Sequence, residues 1–318
     1  QLTAKKYQLT FIAGVTMKVD DINFKFFHIN KWDNGEFKGD AISTTSELVK
    51  ISSDGNLGLE EGQKFERGGI YRFTVDVTKG NTKAVLTVEK VGKVDLPAPD
   101  IFFGNDKMEV TDTDIYKSDQ AFTQGQMITV TGIDNLNEWW IDPDFFEKQS
   151  DGALKFLPIN GDYRVTANAV LKYFSVMALK DGKPAKLQDD GTGAIWAIGK
   201  GIGKPSVMSS EVGWEPSKAL CLAQVASKKY QLTLKAGETL KTSGDPEVIS
   251  FKFFHQNDWG GEFGNYASSI LVEQLKLADS GNLEMQDNKA FEEGAVYRFT
   301  IDVTNGNANA DLKVEKIN

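Results

Sequence analysis

The chain has 318 residues, 40% apolar and 25% charged, which suits two or three globular domains with packed cores. A net charge of −9, with no local run of lysine or arginine, argues against nucleic acid and anionic lipid heads as partners. The single cysteine, Cys221, excludes an intramolecular disulfide and a cysteine-based metal centre, and Ala219-Leu-Cys-Leu-Ala223 makes it a small buried hydrophobe. No apolar stretch of about 18 residues and no charged-then-apolar leader occurs, so neither a membrane span nor a targeting segment is expected within the chain.

In chain order, Gln1 to Thr10 is a segment that returns later, and Phe24-Lys-Phe-Phe-His28 is expected as a strand whose Lys25 points away from Phe24 and Phe26. Trp32-Asp-Asn-Gly-Glu36-Phe37 follows it as a loop. In Tyr71 to Thr78 the apolar residues Tyr71, Phe73, Val75 and Val77 alternate with polar ones, and Lys79-Gly-Asn81 supplies the turn of a hairpin that closes a β-sandwich. Leu96-Pro-Ala-Pro99 is a stiff linker. Beyond it, Gln126 to Gly132, Asp162 to Ala169 and Leu171 to Leu179 read as β-rich segments broken by Asn160-Gly161 and Asp181-Gly-Lys-Pro184. Ala194-Ile-Trp-Ala-Ile-Gly199 is a further strand, followed by a glycine-rich loop and by Gly213-Trp214.

From Gln224 the opening pattern returns. Lys5-Lys-Tyr-Gln-Leu-Thr10 reappears as Lys228-Lys-Tyr-Gln-Leu-Thr233, Phe24 to His28 returns unchanged as Phe251 to His255, and Tyr71-Arg-Phe-Thr-Val-Asp-Val-Thr78 becomes Tyr297-Arg-Phe-Thr-Ile-Asp-Val-Thr304. The Trp32 loop becomes Trp259-Gly-Gly-Glu262-Phe263, one residue shorter. The expected fold is therefore all-β with tandem β-sandwich domains: a first copy at 1–95, a middle domain at 96–190 and a second copy at 191–318, with no helix longer than a few turns. The second copy has upstream sequence, Ala194 to Gly213-Trp214, whose counterpart would precede Gln1; either the chain starts partway through its first domain, which is the expectation preferred, or the first copy completes itself differently.

An indole in a loop of Gly, Asn and Asp has little apolar company, whereas its face stacks well on the C–H face of a pyranose while nearby lysine and carboxylate bond the hydroxyls. This makes Trp259 and Trp214 one candidate platform with Lys252 and Glu262 beside it, and Trp32, Lys25 and Glu36 the matching set in the first copy. The competing reading is that Trp32 and Trp259 plug the ends of their sandwiches and repeat because the fold repeats. His28 and His255 lack the further ligands of a zinc site and are read as structural. Gly199-Lys-Gly-Ile-Gly-Lys-Pro-Ser206 departs from a phosphate loop in spacing, ends in Lys-Pro and has no expected helix after it. Trp139-Trp-Ile-Asp142-Pro-Asp144 could be a platform, a calcium loop or an interdomain contact, and packing is preferred because its acids lack the order of a calcium loop. No repeated carboxylate pair, Gly-x-Ser-x-Gly elbow or Ser/His/Asp set stands out, so no catalytic residue, metal site or cofactor is expected.

Ile195-Trp-Ala-Ile-Gly199, Gly213-Trp214, Phe251-Lys-Phe-Phe254, Trp259 and Gly294-Ala-Val-Tyr297-Arg-Phe-Thr-Ile-Asp302 together resemble the SusE/SusF-like outer-membrane glycan-binding lipoproteins, most fully over 190–318 and as a partial module over 1–95. The resemblance implies a string of immunoglobulin-like sandwiches, lipid-anchored at the cell surface, that grip a polysaccharide beside an outer-membrane transporter without catalysis. The ligand would be starch-like or another glycan, and the anchor would lie upstream of Gln1, since no lipid-bearing cysteine occurs near it. Two rivals are an adhesin or structural surface protein with spacer repeats, and a glycan-cleaving enzyme. The second copy is expected to be the working one.

Overall fold

The computed structural model describes residues 5–30, 35–96, 98–112, 114–133, 135–242 and 248–318. The protein is all-β, with only single turns of helix among the described residues. It divides into two compact units, Gln1–Pro97 and Ala98–Asn318.

In the first unit, strands Lys6–Ile12, Gly69–Asp76 and Ala84–Lys93 pair antiparallel in that order, and Ile42–Thr44 adds parallel to the last. Alternation does what its period requires: Tyr71, Phe73 and Val75 are buried while the residues between them are half-buried. A short hairpin, Val49–Ile51 with Leu57–Leu59, faces this sheet. The turn before Leu57 is fixed by Gly55, at φ +83°, where a Cβ would lie 1.8 Å from the Phe37 carbonyl oxygen; its twin Gly281 meets the Phe263 carbonyl oxygen in the same way. Phe24 to His28 is not a strand here. Only an isolated bridge ties Phe24 to Leu57.

The second unit holds two sandwiches over one continuous hydrophobic cluster that runs from Ile101 to Val314. In the first of them, Ile115–Phe122, Gly161–Asn168 and Tyr173–Lys180 form the main antiparallel sheet, packed through Phe103, Phe122, Phe156 and Phe174. In the second, Lys229–Lys235, Val296–Asp302 and Asp311–Lys316 repeat the large sheet of the first unit, with Ser268–Ile270 parallel at its edge. The opposing sheet is built on Trp196–Gly203, which pairs with Ser250–Phe254 on one side and Glu211–Gly213 on the other. The expected glycine-rich loop after Gly199 is thus strand as far as Gly203. Glycine is needed there because the backbones approach closely: a Cβ on Gly199 would sit 2.3 Å from the Cα of Phe251. A one-turn helix, Val207–Ser210, follows the segment where no helix was expected, started by Ser206 as its N-cap.

The two sandwiches meet across a buried charge cluster. Lys204 Nζ donates to both Asp142 oxygens at 2.8 Å and to Asp144 at 3.0 Å, with all three side chains nearly inaccessible. Asp144 also accepts from the Thr233 amide and hydroxyl and from Gln231. Burial alone drives both carboxyls upward; at Asp144 the Lys204 ammonium and these donors prevail and hold it below the usual carboxylate range, whereas Asp142 stays above it. Trp140 Nε1 donates to Glu238 across the same seam, and Trp139 stacks on Phe174 at 4.6 Å. Trp139 to Asp144 is therefore the interdomain contact among the readings its sequence allowed.

Candidate functional site

Trp214 follows Gly213, whose positive φ turns the chain out of its strand, and Trp259 sits in the loop after Ser250–Phe254. Gly213 stands opposite Gly199, and Gly199 opposite Phe251, so the two tryptophan loops leave the strands that flank Trp196–Gly203 in one sheet. The sheet brings the indoles together: their centroids are 6.3 Å apart and their planes differ by 25°. Trp214 is half-buried against the core, while Trp259 is 50% exposed and meets Phe254 edge-on at 6.0 Å. Phe254 thus props the outer indole, a role that Phe254 did not signal in the sequence because it follows two other aromatics in a strand.

The loop is held locally. Asp258 accepts from the Trp259 amide at 2.7 Å, Gln256 Nε2 donates to the Trp259 carbonyl at 2.6 Å, and Gly260 and Gly261, both at positive φ, return the chain so that Glu262 bridges to Phe254. Lys252 is two positions before Phe254 and Glu262 is across from it, which puts both on the Trp-bearing face of the sheet. Among the described residues neither has an ion-pair partner. His255 closes the loop by donating its amide to the Gly261 carbonyl at 2.7 Å and packing edge-on against Phe263 at 4.2 Å; burial pushes its imidazole pKa down. A neutral, packed imidazole fits the structural role.

In the first copy, Trp32 lies outside the described residues. Lys25 Nζ donates to the Asp54 carbonyl at 3.0 Å, and Glu36 is half-buried where it bridges to Phe27.

A hollow of about 550 Å³ in the second unit lies elsewhere, in the seam lined by Trp140, Tyr173, Trp196, Glu211 and Lys218. Its charged groups are engaged: Glu211 accepts from Lys241 and the Gly201 amide, and Lys218 pairs with Glu215. Cys221, beside it, is buried with its thiol pushed up to about 12, which leaves no thiolate for chemistry at neutral pH. The indole pair is the better candidate because it offers exposed aromatic surface with uncommitted polar neighbours.

Residues 1–78 and 190–304, together more than half the chain, match the family described as Domain of unknown function (DUF5121). The chain belongs to the DUF5121 family. Its two matched stretches are the twinned ends, and the second begins at residue 190, so the strand Trp196–Gly203 is part of the DUF5121 module. Between them, residues 94–187 match a second Domain of unknown function, DUF5125. No curated protein matches the chain.

Proposed function

We propose that this protein is a non-catalytic polysaccharide-binding protein of the cell surface, which takes sugar rings on the Trp214–Trp259 pair. The observation that carries this reading is the pairing itself: two loops far apart in sequence deliver near-parallel indoles, one of them half-exposed, onto a face that also holds Lys252 and Glu262. An exposed indole is costly in water, and the apolar face of a pyranose covers it while leaving the ring hydroxyls to Lys252 and Glu262. The likeness to SusE/SusF-like lipoproteins supports placing the protein at the outer membrane, lipid-anchored from upstream of Gln1, beside a glycan transporter. The glycan is starch-like or another polysaccharide. If the Trp32, Lys25 and Glu36 set also binds, two weak sites on one chain gain by avidity.

Calorimetry or affinity electrophoresis against a panel of soluble glycans tests the reading. One glycan should bind, and Trp214→Ala with Trp259→Ala should weaken it by at least about thirtyfold, as loss of a central aromatic anchor does. Retention unchanged by the double substitution would remove the assignment of this site, and no binding across the panel would remove the function.

A further inference from the structure

The two sandwiches of the second unit do not close completely where they meet, and strand alternation sets one wall of the hollow left in their seam. Along Tyr173–Lys180, Phe174 and Val176 turn into the core of the first sandwich and are buried, so Tyr173, Ser175 and Met177 face the other way, half-buried, into the hollow. Trp140 is bridged to Tyr173 and donates its amide to the Lys172 carbonyl at 2.7 Å, which sets indole and phenol side by side on this wall. The indole is fixed in place: its Nε1 donates to Glu238 at 3.0 Å, and Lys204 Nζ lies 5.9 Å from the ring centroid. The second sandwich supplies the facing wall, with Ser217 on the turn Pro216–Lys218 and Leu220 beyond it. Met208, 99% exposed, stands at the mouth.

The polar groups of the hollow fall into two kinds. Every charged side chain that lines it is already paired: Lys204 with Asp142, Glu211 with Lys241, and Lys218 with Glu215. Its hydroxyls are not. Among the described residues, those of Tyr173, Ser175 and Ser217 have no hydrogen-bond partner in the protein. A charged ligand would give up its hydration and meet no free counter-charge, while a hydrocarbon would leave the three hydroxyls unbonded. A neutral ring with an apolar face and hydroxyls around its edge meets both conditions, because the aromatic wall covers the face and the protein hydroxyls take the edge.

We infer that the seam hollow is a second binding site, which takes a neutral sugar of one or two rings with Trp140 and Tyr173 against its C–H face and the hydroxyls of Tyr173, Ser175 and Ser217 on its own. Its volume of about 550 Å³ lies within the range of pockets that enclose small ligands, and a junction between domains is where such pockets gather. Neither Trp214 nor Trp259 lines it, so the inference stands whether or not the indole pair binds a glycan. Because each sandwich contributes one wall, a sugar held there touches both domains at once.

The test uses the full chain carrying Trp214→Ala and Trp259→Ala, so that the indole pair contributes nothing to the signal. Calorimetry with glucose, galactose, mannose, maltose, cellobiose and lactose should show saturable binding of at least one of them. Ser175→Leu, which removes a hydroxyl and fills the hollow from its strand wall, should weaken that binding by at least about tenfold. Ser217→Leu does the same from an exposed turn on the facing wall and serves if the strand substitution impairs folding, which the thermal unfolding of each variant reports. No binding of any of the six sugars, or binding that survives the leucine of each folded variant, would overturn the inference. So would glucuronate binding as tightly as glucose, since the site would then accept charge.

Discussion

Phe24-Lys-Phe-Phe-His28 and Phe251-Lys-Phe-Phe-His255 are the same five residues, and only the second set forms a strand. The difference lies in the neighbours: Ser250–Phe254 sits between Trp196–Gly203 and Leu283–Met285, while among the described residues the first segment has isolated bridges from Phe24 to Leu57 and from Phe27 to Glu36. A strand is a hydrogen-bonding relationship between segments, so identical local propensity yields different structure when one partner differs. In the second copy Trp259 finds Trp214 delivered from the strand on the far side of Trp196–Gly203.

The sharpest way to probe this contrast is to cut the same side chain from each copy. Phe251→Ala should cost about 3–5 kcal/mol, the price of emptying a sealed aromatic site, while Phe24→Ala should cost about half as much because water already reaches it; denaturant titration of both variants checks the gap. Equal costs would mean the two faces are equally sealed in solution. Next, Lys204→Met should destabilise the second unit by about 3 kcal/mol by leaving Asp142 and Asp144 buried without a cation, with amide exchange in the first unit unchanged. Trp259→Ala should alter stability by less than about 1 kcal/mol, since half of the ring is already in water, even as it weakens glycan binding.

The smallest effect is a pH dependence that arises at His255 in the second copy. Because burial lowers the His255 pKa, the folded state holds fewer protons than the unfolded one just below the ordinary histidine value of about 6.5. Stability is full above that value and declines as pH falls toward the folded pKa. Denaturant midpoints at pH 7.5 and 5.5 should show this decline, and His255→Phe should remove that part of it.

Much of the architecture could be read from residues alone. Period-two alternation in Tyr71 to Val77 marked an inward face, and the twinned motifs marked two copies of one module. Trp214 and Trp259 could be named as partners because each sits in a loop poor in apolar company. Three features escaped that reading. Phe24 to His28 was expected as a strand in both copies, since no local pattern reports the presence of a neighbour. Gly199 to Gly203 reads as a loop, because glycine spacing looks alike whether it permits a turn or a close approach of two backbones. The pairing of Lys204 with Asp142 and Asp144 joins segments far apart in the chain, and a lone lysine before proline gives no hint of its partners.

The cluster at Lys204 bears on how such modules can be shuffled between proteins. The second copy looks like a self-contained cassette that could be cut at residue 190 and transplanted. Its Lys204 and Thr233, however, are completed by acids that belong to the preceding domain. Severing the chain there would strand a cation in an apolar setting, so the smallest transferable piece that keeps the indole pair on its own footing is the whole of Ala98–Asn318.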